Sequence, residues 1–466
     1  MSTFSGLNTA YTGLSAARKG LDVVGQNIAN VNTPGYTRQR VTTSAMGGAA
    51  ITGKFATGAR VGQGVSVDGI ARLGSMQLDT RVRATAAASG FSAVRANALA
   101  GLETSLNEPG KNGISASLTE FWAAWQGVAN KPGNEAAATA LIGQATTLAS
   151  QISTGYKAVE EQWTGAYKQL KDMEAELNGT ASQIASLNAQ IRTVQASGGT
   201  ANELIDQRNA LTTTIAALAG GTVRESGNGM VDVLIDGNAI VSGDIVRPVQ
   251  VAGGIRMGDE APRLEWSHRP GTNMAASGEI AGVLSVLAPA ADGGILASAA
   301  EGYNNFAKEL ASAVNKIHGT GTNTAGDPVG NFFSHDTDPA ALSLTVLAEK
   351  AADIATGGAN MGNLDSSIAD EIAQLGTGPK SPDSIWANFV SGIGASTRVE
   401  MQQAELAGVA ASAAIDMQLS NSSVDLDEEN LNLLAYQHAY QGAARVMTAI
   451  DEMLDTLINR TGIVGR

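Results

Sequence analysis

Residues 425–457 read DLDEENLNLLAYQHAYQGAARVMTAIDEMLDTL. Within them Leu433, Tyr436, Tyr440, Ala443, Met447, Ile450, Leu454 and Leu457 alternate at spacings of three and four, filling every a and d position of four heptads. The spacing predicts a helix with one apolar seam. The acidic run Asp425-Leu426-Asp427-Glu428-Glu429 stands at its start, where carboxylates meet the positive end of the helix macrodipole. The opposite end of the chain carries a matching stripe: Phe4, Leu7, Tyr11, Leu14, Leu21, Val24 and Ile28, with Ala10 and Ala17 on the same face. That helix is expected to stop near Asn32, because Thr33 precedes a proline and Pro34-Gly35 suits the centre of a type II turn. A one-sided helix draws most of its stability from packing. The economical arrangement therefore pairs the two ends and lets the middle of the chain project outward as nested domains.

The middle is mostly helical by pattern. From 142 to 194 the a positions hold Ile, Ala, Tyr, Trp, Leu, Leu, Ile and Ile, and fifteen of the sixteen a and d positions are apolar. Gly143, Gly155, Gly165 and Gly179 each cost a helix about 1 kcal/mol against Ala, and a break is expected near Asn178-Gly179. Further helices are predicted over 73–106, 114–129, 202–219, 295–318 and 382–421. Residues 37–70 read as extended segments, with a short strand around Val65-Ser66-Val67. Between Gly220 and Trp266 short β-branched runs (Val231-Asp232-Val233-Leu234-Ile235, Ile240-Val241, Val249-Gln250-Val251) are separated by turns such as Asp236-Gly237-Asn238, the pattern of a small antiparallel domain. The expected fold is mainly α with a small β domain: terminal helices paired as a coiled coil, a long-helix bundle and an inserted β-rich outer domain. Its boundaries are 1–36 with 425–466, 37–220 with 291–424, and 221–290.

Composition narrows the function. The chain has 466 residues, 43% of them hydrophobic but only 4% aromatic, which favours Ala-rich helices in close contact. A net charge of −14 with no Lys/Arg cluster argues against nucleic acid and against docking on anionic membranes. There are no cysteines, hence no disulfides and no thiolate metal sites. Residues 1–19 lack the apolar core of a secretory signal, and no run reaches the ~18 apolar residues of a membrane helix. If the protein leaves the cytoplasm, it is expected to do so without a cleaved signal.

Catalytic and ligand motifs are missing. His268, His318, His335 and His438 lack metal-ligand spacing, and His438 reads as a flank residue of the last helix. Gly62-Gln63-Gly64 fails as a dinucleotide fingerprint, since Ser66 and Val67 follow where a third glycine belongs. Asp327 and Asp336 to Asp338 sit in a Gly-rich loop without the calcium-loop pattern, so a turn is expected. Phe121, Trp122 and Trp125 share one helical face and read as core rather than as a sugar platform. No metal, cofactor or catalytic residue is predicted.

Two stretches resemble a known family. Gln26-Asn27-Ile28-Ala29-Asn30-Val31-Asn32-Thr33-Pro34-Gly35-Tyr36-Thr37-Arg38 is similar to the N-terminal signature of flagellar rod, hook and hook-associated proteins. Val424 to Glu429, with Tyr436-Gln437 and Tyr440-Gln441, resembles their C-terminal signature. Tyr36-Thr37-Arg38-Gln39, Leu106-Asn107-Glu108-Pro109, Phe121 to Gln126, Ile184 to Ile191 and Asn202 to Arg208 look like the hook–filament junction branch of that family. The resemblance implies an extracellular structural subunit, exported unfolded through the flagellar type III apparatus. It implies a self-assembled ring on the hook protein, a second junction protein placed next, and a cytoplasmic export chaperone on the C-terminal helix.

On that reading Leu7, Leu14, Leu21 and Ile28 pack against Leu433, Tyr440, Met447 and Leu454, with Tyr436 and Ile450 in the same interface. Each side chain fully buried contributes ~1.5–3 kcal/mol. The seam is expected to be disordered before assembly and to fold on binding. Asn27, Asn30, Thr33, Pro34, Gly35 and Tyr36 are expected to fix the bend into the next domain. Periodicity alone is equally compatible with a plain intramolecular hairpin, and the turn with simple helix termination. A hook or distal-rod subunit, and a surface adhesin or secreted hydrolase with a ligand pocket in 222–290, are the rival readings.

Overall fold

The computed structural model describes residues 3–47 and 62–460; the 48–61 part of the expected extended segment, residues 1–2 and residues 461–466 lie outside the described residues. The chain opens with α1 (Thr3–Ala29) and an antiparallel hairpin, β1 (Gln39–Ala45) and β2 (Val65–Arg72), paired from Gln39↔Arg72 to Ala45↔Val65. Four helices follow: α2 (Met76–Leu106), α3 (Ile114–Asn130), α4 (Glu135–Ala196) and α5 (Asn202–Ala219). Then come seven strands, β3 (Thr222–Glu225), β4 (Val231–Ile235), β5 (Asn238–Ser242), β6 (Ile245–Val246), β7 (Val249–Ala252), β8 (Arg263–Trp266) and β9 (Arg269–Asn273). They form a four-stranded meander β3-β4-β5-β6 and a three-stranded sheet β7-β8-β9. The chain returns to helix in α6 (Gly278–Leu287) and α7 (Ile295–His318). A loop region holds the two-residue strands β10 (Gly321–Thr322), β11 (Phe333–Ser334), β12 (Thr345–Val346) and β13 (Gly357–Gly358) with short helices α8 (Ala340–Ser343) and α9 (Ser367–Ala373). Two long helices end it, α10 (Pro382–Ser422) and α11 (Leu426–Asp455).

The fold is mainly α with small antiparallel sheets, as the periodicity predicts. The expected break near Asn178-Gly179 does not occur: α4 runs unbroken for 62 residues, roughly 90 Å at ~1.5 Å per residue. Asn178 does not compete with the helix backbone, because its side chain is occupied elsewhere. Its amide nitrogen donates to the Val249 carbonyl at 2.8 Å and its oxygen accepts from the Val249 N–H at 2.9 Å. Buried Leu177, Thr180, Ala181 and Ile184 hold the helix on either side of Gly179. Of the a and d positions between 145 and 191, all but Ala166 are buried.

The scarce aromatics are concentrated where they fill the most space. Phe121 and Trp125 are fully buried against Phe332, with Phe333 also on Phe121, so this face is core, as predicted. Tyr303, Phe306, Trp386 and Phe389 form a second group where α7 meets the start of α10. The β4–β5 turn at Asp236-Gly237 has φ of 49° and 72°, the two left-handed residues of a type I′ hairpin. β9 extends the β region beyond Trp266; its sequence, RPGTN, offers no apolar alternation, and all five residues are exposed.

α10 packs along α2, and α1 along α11, antiparallel in both cases. The two ends of the chain therefore meet, and everything from 39 to 422 is entered and left through one joint.

Candidate functional site: the terminal helix pair and its joint

α1 and α11 meet along a row of glycines. A Cβ placed on Gly6 would lie 3.2 Å from Ile450 Cδ1, one on Gly13 4.0 Å from Ala443 Cβ, and one on Gly20 2.5 Å from the Tyr436 ring. The next residue in the row is Asn27, whose Nδ2 donates to Glu429 Oε2 at 3.0 Å. Four contacts thus repeat every seven residues on both helices. Glycine lets the backbones close in, and the partner row supplies isoleucine, alanine, tyrosine and finally a carboxylate.

The predicted leucines lie beside this row rather than on it. Leu7, Leu14, Leu21 and Ile28 are half-buried, as are Leu433, Tyr436, Met447 and Leu454; Ile450 is buried and Tyr440 is exposed. On α1 the buried residues are Ala10, Ala17, Gly20, Val23, Val24 and Asn27. On α11 only Glu429 and Ile450 are buried. Phe4 and Tyr11 on α1, and Leu431, Leu434, Val446 and Met453 on α11, are left half to two-thirds open to solvent.

At the joint, Asn27 is 1% exposed and uses its whole hydrogen-bonding capacity. Its Nδ2 donates to Glu429 Oε2 and to the Gln39 carbonyl at 2.9 Å. Its Oδ1 accepts from the Gln39 N–H at 3.0 Å and from the Tyr36 hydroxyl at 2.9 Å. Glu429, also 1% exposed, is matched on its other oxygen by Arg38, with Nε at 2.8 Å and Nη2 at 2.7 Å. Arg38 Nη1 reaches Glu428 at 2.8 Å, and the Arg38 N–H donates to the Ser422 carbonyl at 2.9 Å, closing the end of α10. Hydrogen bonding to Glu428 raises the Arg38 pKa against the opposing effect of burial, with Glu429 adding to the rise. Burial, helped by the charges of Glu203, Asp206 and Glu429, pushes Tyr36 up to about 12, so its hydroxyl remains a donor at neutral pH.

The turn between α1 and β1 has the predicted form. The Tyr36 N–H donates to the Thr33 carbonyl at 3.2 Å and Gly35 has φ of 78°, as a type II turn requires. Asn30 caps from within: its Nδ2 donates to the Gln26 carbonyl and its Oδ1 accepts from Thr33 Oγ1. The bundle grips the turn from the other side. Asp206 accepts from the Thr37 N–H at 3.0 Å and pairs with Arg72, while Asn202 donates to Gln39 Oε1 at 2.9 Å. Sequence reasoning placed Asn27, Asn30 and the turn here. It missed Gly6, Gly13 and Gly20 and the roles of Arg38, Gln39, Asp206 and Glu429. The available signal was a glycine row at seven-residue spacing facing a row that ends in an acid.

The remaining motifs are latches of the same kind. Buried Asn188 donates to the Val231 and Gly243 carbonyls and accepts from the Val231 N–H and Arg208 Nη1, fastening β4 to α4. Burial and the nearby Arg72 lower the Arg208 pKa to about 10. Glu108 accepts from the Ser115 N–H at 2.8 Å and from Trp386 Nε1 at 2.9 Å, tying α3 to α10. Among the described residues no group of His, Cys, Asp or Glu could hold a metal, and no helix is long and apolar enough to cross a membrane.

These features define a structural subunit whose two ends are joined at a polar elbow below an extended helical body. Comparison with known proteins agrees. The family model for the helical domain of the flagellar hook-associated protein FlgK matches residues 99–333. The models for flagella basal body rod proteins and for the C-terminal part of basal body rod FlgEFG proteins match 7–37 and 418–460. The helical-domain match spans half the chain, and the chain belongs to the FlgK family of flagellar hook-associated proteins, which are structural and not enzymes. Flagellar hook-associated protein 1 of Bacillus subtilis is 28% identical over 516 aligned positions, covering both chains in full. That of Salmonella typhimurium is 30% identical over 244 residues, 52% of this chain and 43% of its own. The solved flagellar hook junction protein FlgK from Burkholderia pseudomallei superposes with a TM-score of 0.63 over 74% of this chain and all of its own; at 15% identity the likeness is one of fold.

Proposed function

We propose that this chain is a subunit of the hook–filament junction that assembles through the outer faces of its α1–α11 pair. The observation that carries the reading is that the pair is complete internally, in its glycine row and its joint, yet still presents Phe4, Tyr11, Leu431, Leu434, Val446 and Met453 to solvent. Large apolar side chains exposed together on one element mark an interaction surface. Burying each contributes ~1.5–3 kcal/mol, so a few per subunit, repeated between copies, hold a ring without covalent links.

On this reading residues 1–36 and 425–466 form the inner domain. Residues 37–220 with 291–424 form the helical body, and 221–290 the outer domain. Leu7, Leu14, Leu21, Ile28, Leu433, Tyr440, Met447 and Leu454 flank the glycine row and complete the interface from its edges. The neighbours are further copies of the chain, the hook protein and a second junction protein, with an export chaperone on α11 before secretion to the cell exterior.

Leu431→Glu combined with Val446→Glu tests this, because both residues lie on α11 and are about half or more exposed in the isolated chain. The double variant should fold with unchanged helical content and be missing from purified flagella. Normal incorporation would contradict the proposal.

A further inference from the structure

The terminal pair has a register problem that its apolar contacts do not solve. The glycine row (6, 13, 20) and its partners (450, 443, 436) repeat with the same period of seven. Sliding α11 by one heptad sets Ala443 over Gly6 and Tyr436 over Gly13, or Ile450 over Gly13 and Ala443 over Gly20. In either slip two of the glycines still meet an apolar or small side chain; Gly20 alone loses its apolar partner in the first, and Leu457 comes over Gly6 in the second. Packing along the row therefore discriminates weakly between three registers.

The fourth position does discriminate. We infer that Asn27 and Glu429 are the register pin of the terminal pair, the positioning residues that select one alignment out of the heptad-related set. Three of the four Asn27 hydrogen bonds lie within 27–39; the fourth, to Glu429, exists only in the observed register, in which both oxygens of Glu429 are occupied, one by Asn27 and the other by Arg38. One slip carries the Glu429 carboxylate over Gly20, which has no side chain to donate to it. The other sets Tyr436 against the Asn27 amide, leaving one buried N–H of Asn27 without its acceptor and Arg38 without Glu429. Stranding a buried charge is far more costly than losing one apolar contact, and a single polar residue in an apolar helix seam is a known means of fixing register. Because the same two residues also hold Gln39 and Arg38, the alignment of the helix pair is set from the joint outward. The inference concerns pairing within one chain and does not depend on the outer faces acting in assembly.

The chain contains no cysteine, so engineered pairs report without background. A Cβ at Gly13 stands 4.0 Å from Ala443 Cβ, within the range that a disulfide bridges. Gly13→Cys with Ala443→Cys is the in-register probe. Gly6→Cys with Ala443→Cys, and Gly13→Cys with Ile450→Cys, are slipped probes, displaced by about 10 Å along the axis and out of reach. Each pair is oxidised in the purified full-length chain and, in parallel, in isolated flagella. The unaltered background should form only the 13–443 disulfide. With Glu429→Leu the slipped disulfides should appear. With Asn27→Leu and Glu429→Leu together the helices keep an apolar contact and the slipped disulfides should appear alongside 13–443, which decides the matter if the single variant fails to fold. Glu428→Leu, which removes the other carboxylate on Arg38 but lies off the row, should leave the pattern unchanged. The inference is overturned if the unaltered chain already forms the slipped disulfides, or if the double variant still forms 13–443 alone. Loss of a variant from flagella would bear on the assembly reading alone, in its favour, and the soluble pattern would still settle the register.

Discussion

Gly20 and Gly13 occupy equivalent places on α1 and answer differently to a methyl group. Alanine at 20 drives a Cβ to 2.5 Å from a half-buried tyrosine ring, whereas alanine at 13 meets only Ala443 Cβ at 4.0 Å. Gly20→Ala should destabilise the terminal pair by about 1–3 kcal/mol, the usual range for overpacking. Gly13→Ala should stabilise α1 by up to about 1 kcal/mol. Limited proteolysis of α11 against thermal unfolding would separate the two, and equal behaviour would mean the helices do not approach along this row. Residues of this kind are hard to read in a sequence because glycine registers first as a helix penalty. Asn27 was legible as part of a turn, since Asn and Pro-Gly near a helix end have a direct backbone meaning. Glu429 reads in the sequence as a dipole partner, which describes where it lies along α11. That Arg38 and Asn27 surround it depends on residues about 400 positions away.

Elements were more legible than residues. The bounds of α5 and α7 coincide with the periodic runs that predict them, and the heptad seam of α4 is buried almost throughout. The expected break in α4 fails because propensity counts Asn178 against the helix, while its amide is committed to β7 in a pairing no local rule sees. α7 ends on His318, which is fully buried; its Nδ1 bonds the Gly330 carbonyl at 2.7 Å and its Nε2 accepts from the Ala355 N–H at 3.0 Å. Burial depresses its pKa, only partly opposed by the Gly330 carbonyl. The unfolded chain therefore takes up a proton more readily than the folded one. The sign follows: the stability His318 supplies is complete above the unfolded value of about 6.5 and is lost as pH falls below that value towards the depressed one. Thermal unfolding followed from pH 8 to 5 should show a steeper decline for the native chain than for His318→Gln. Parallel curves would contradict the assignment of a neutral, hydrogen-bonded imidazole.

At the scale of the whole molecule, the nested order of the chain follows from its two stripes. Apart from the β1–β2 hairpin beside α1, each terminal helix finds its partner in the other, and residues 39–422 become an insertion between them. That much was legible, because periodicity reports which faces need covering. The outer faces of the pair were not legible in the same way, because the surfaces that cover them lie outside the chain's own sequence. The central claim is that the α1–α11 pair is the element by which this subunit is built into the flagellum. Its most direct test is removal of residues 430–466 in the native host, followed by inspection of the cell surface and of the medium. The account predicts intact hooks without filaments, and flagellin shed into the medium. Normal filaments would show that the terminal pair is not an assembly element, and the exposed apolar residues on α1 and α11 would need another explanation.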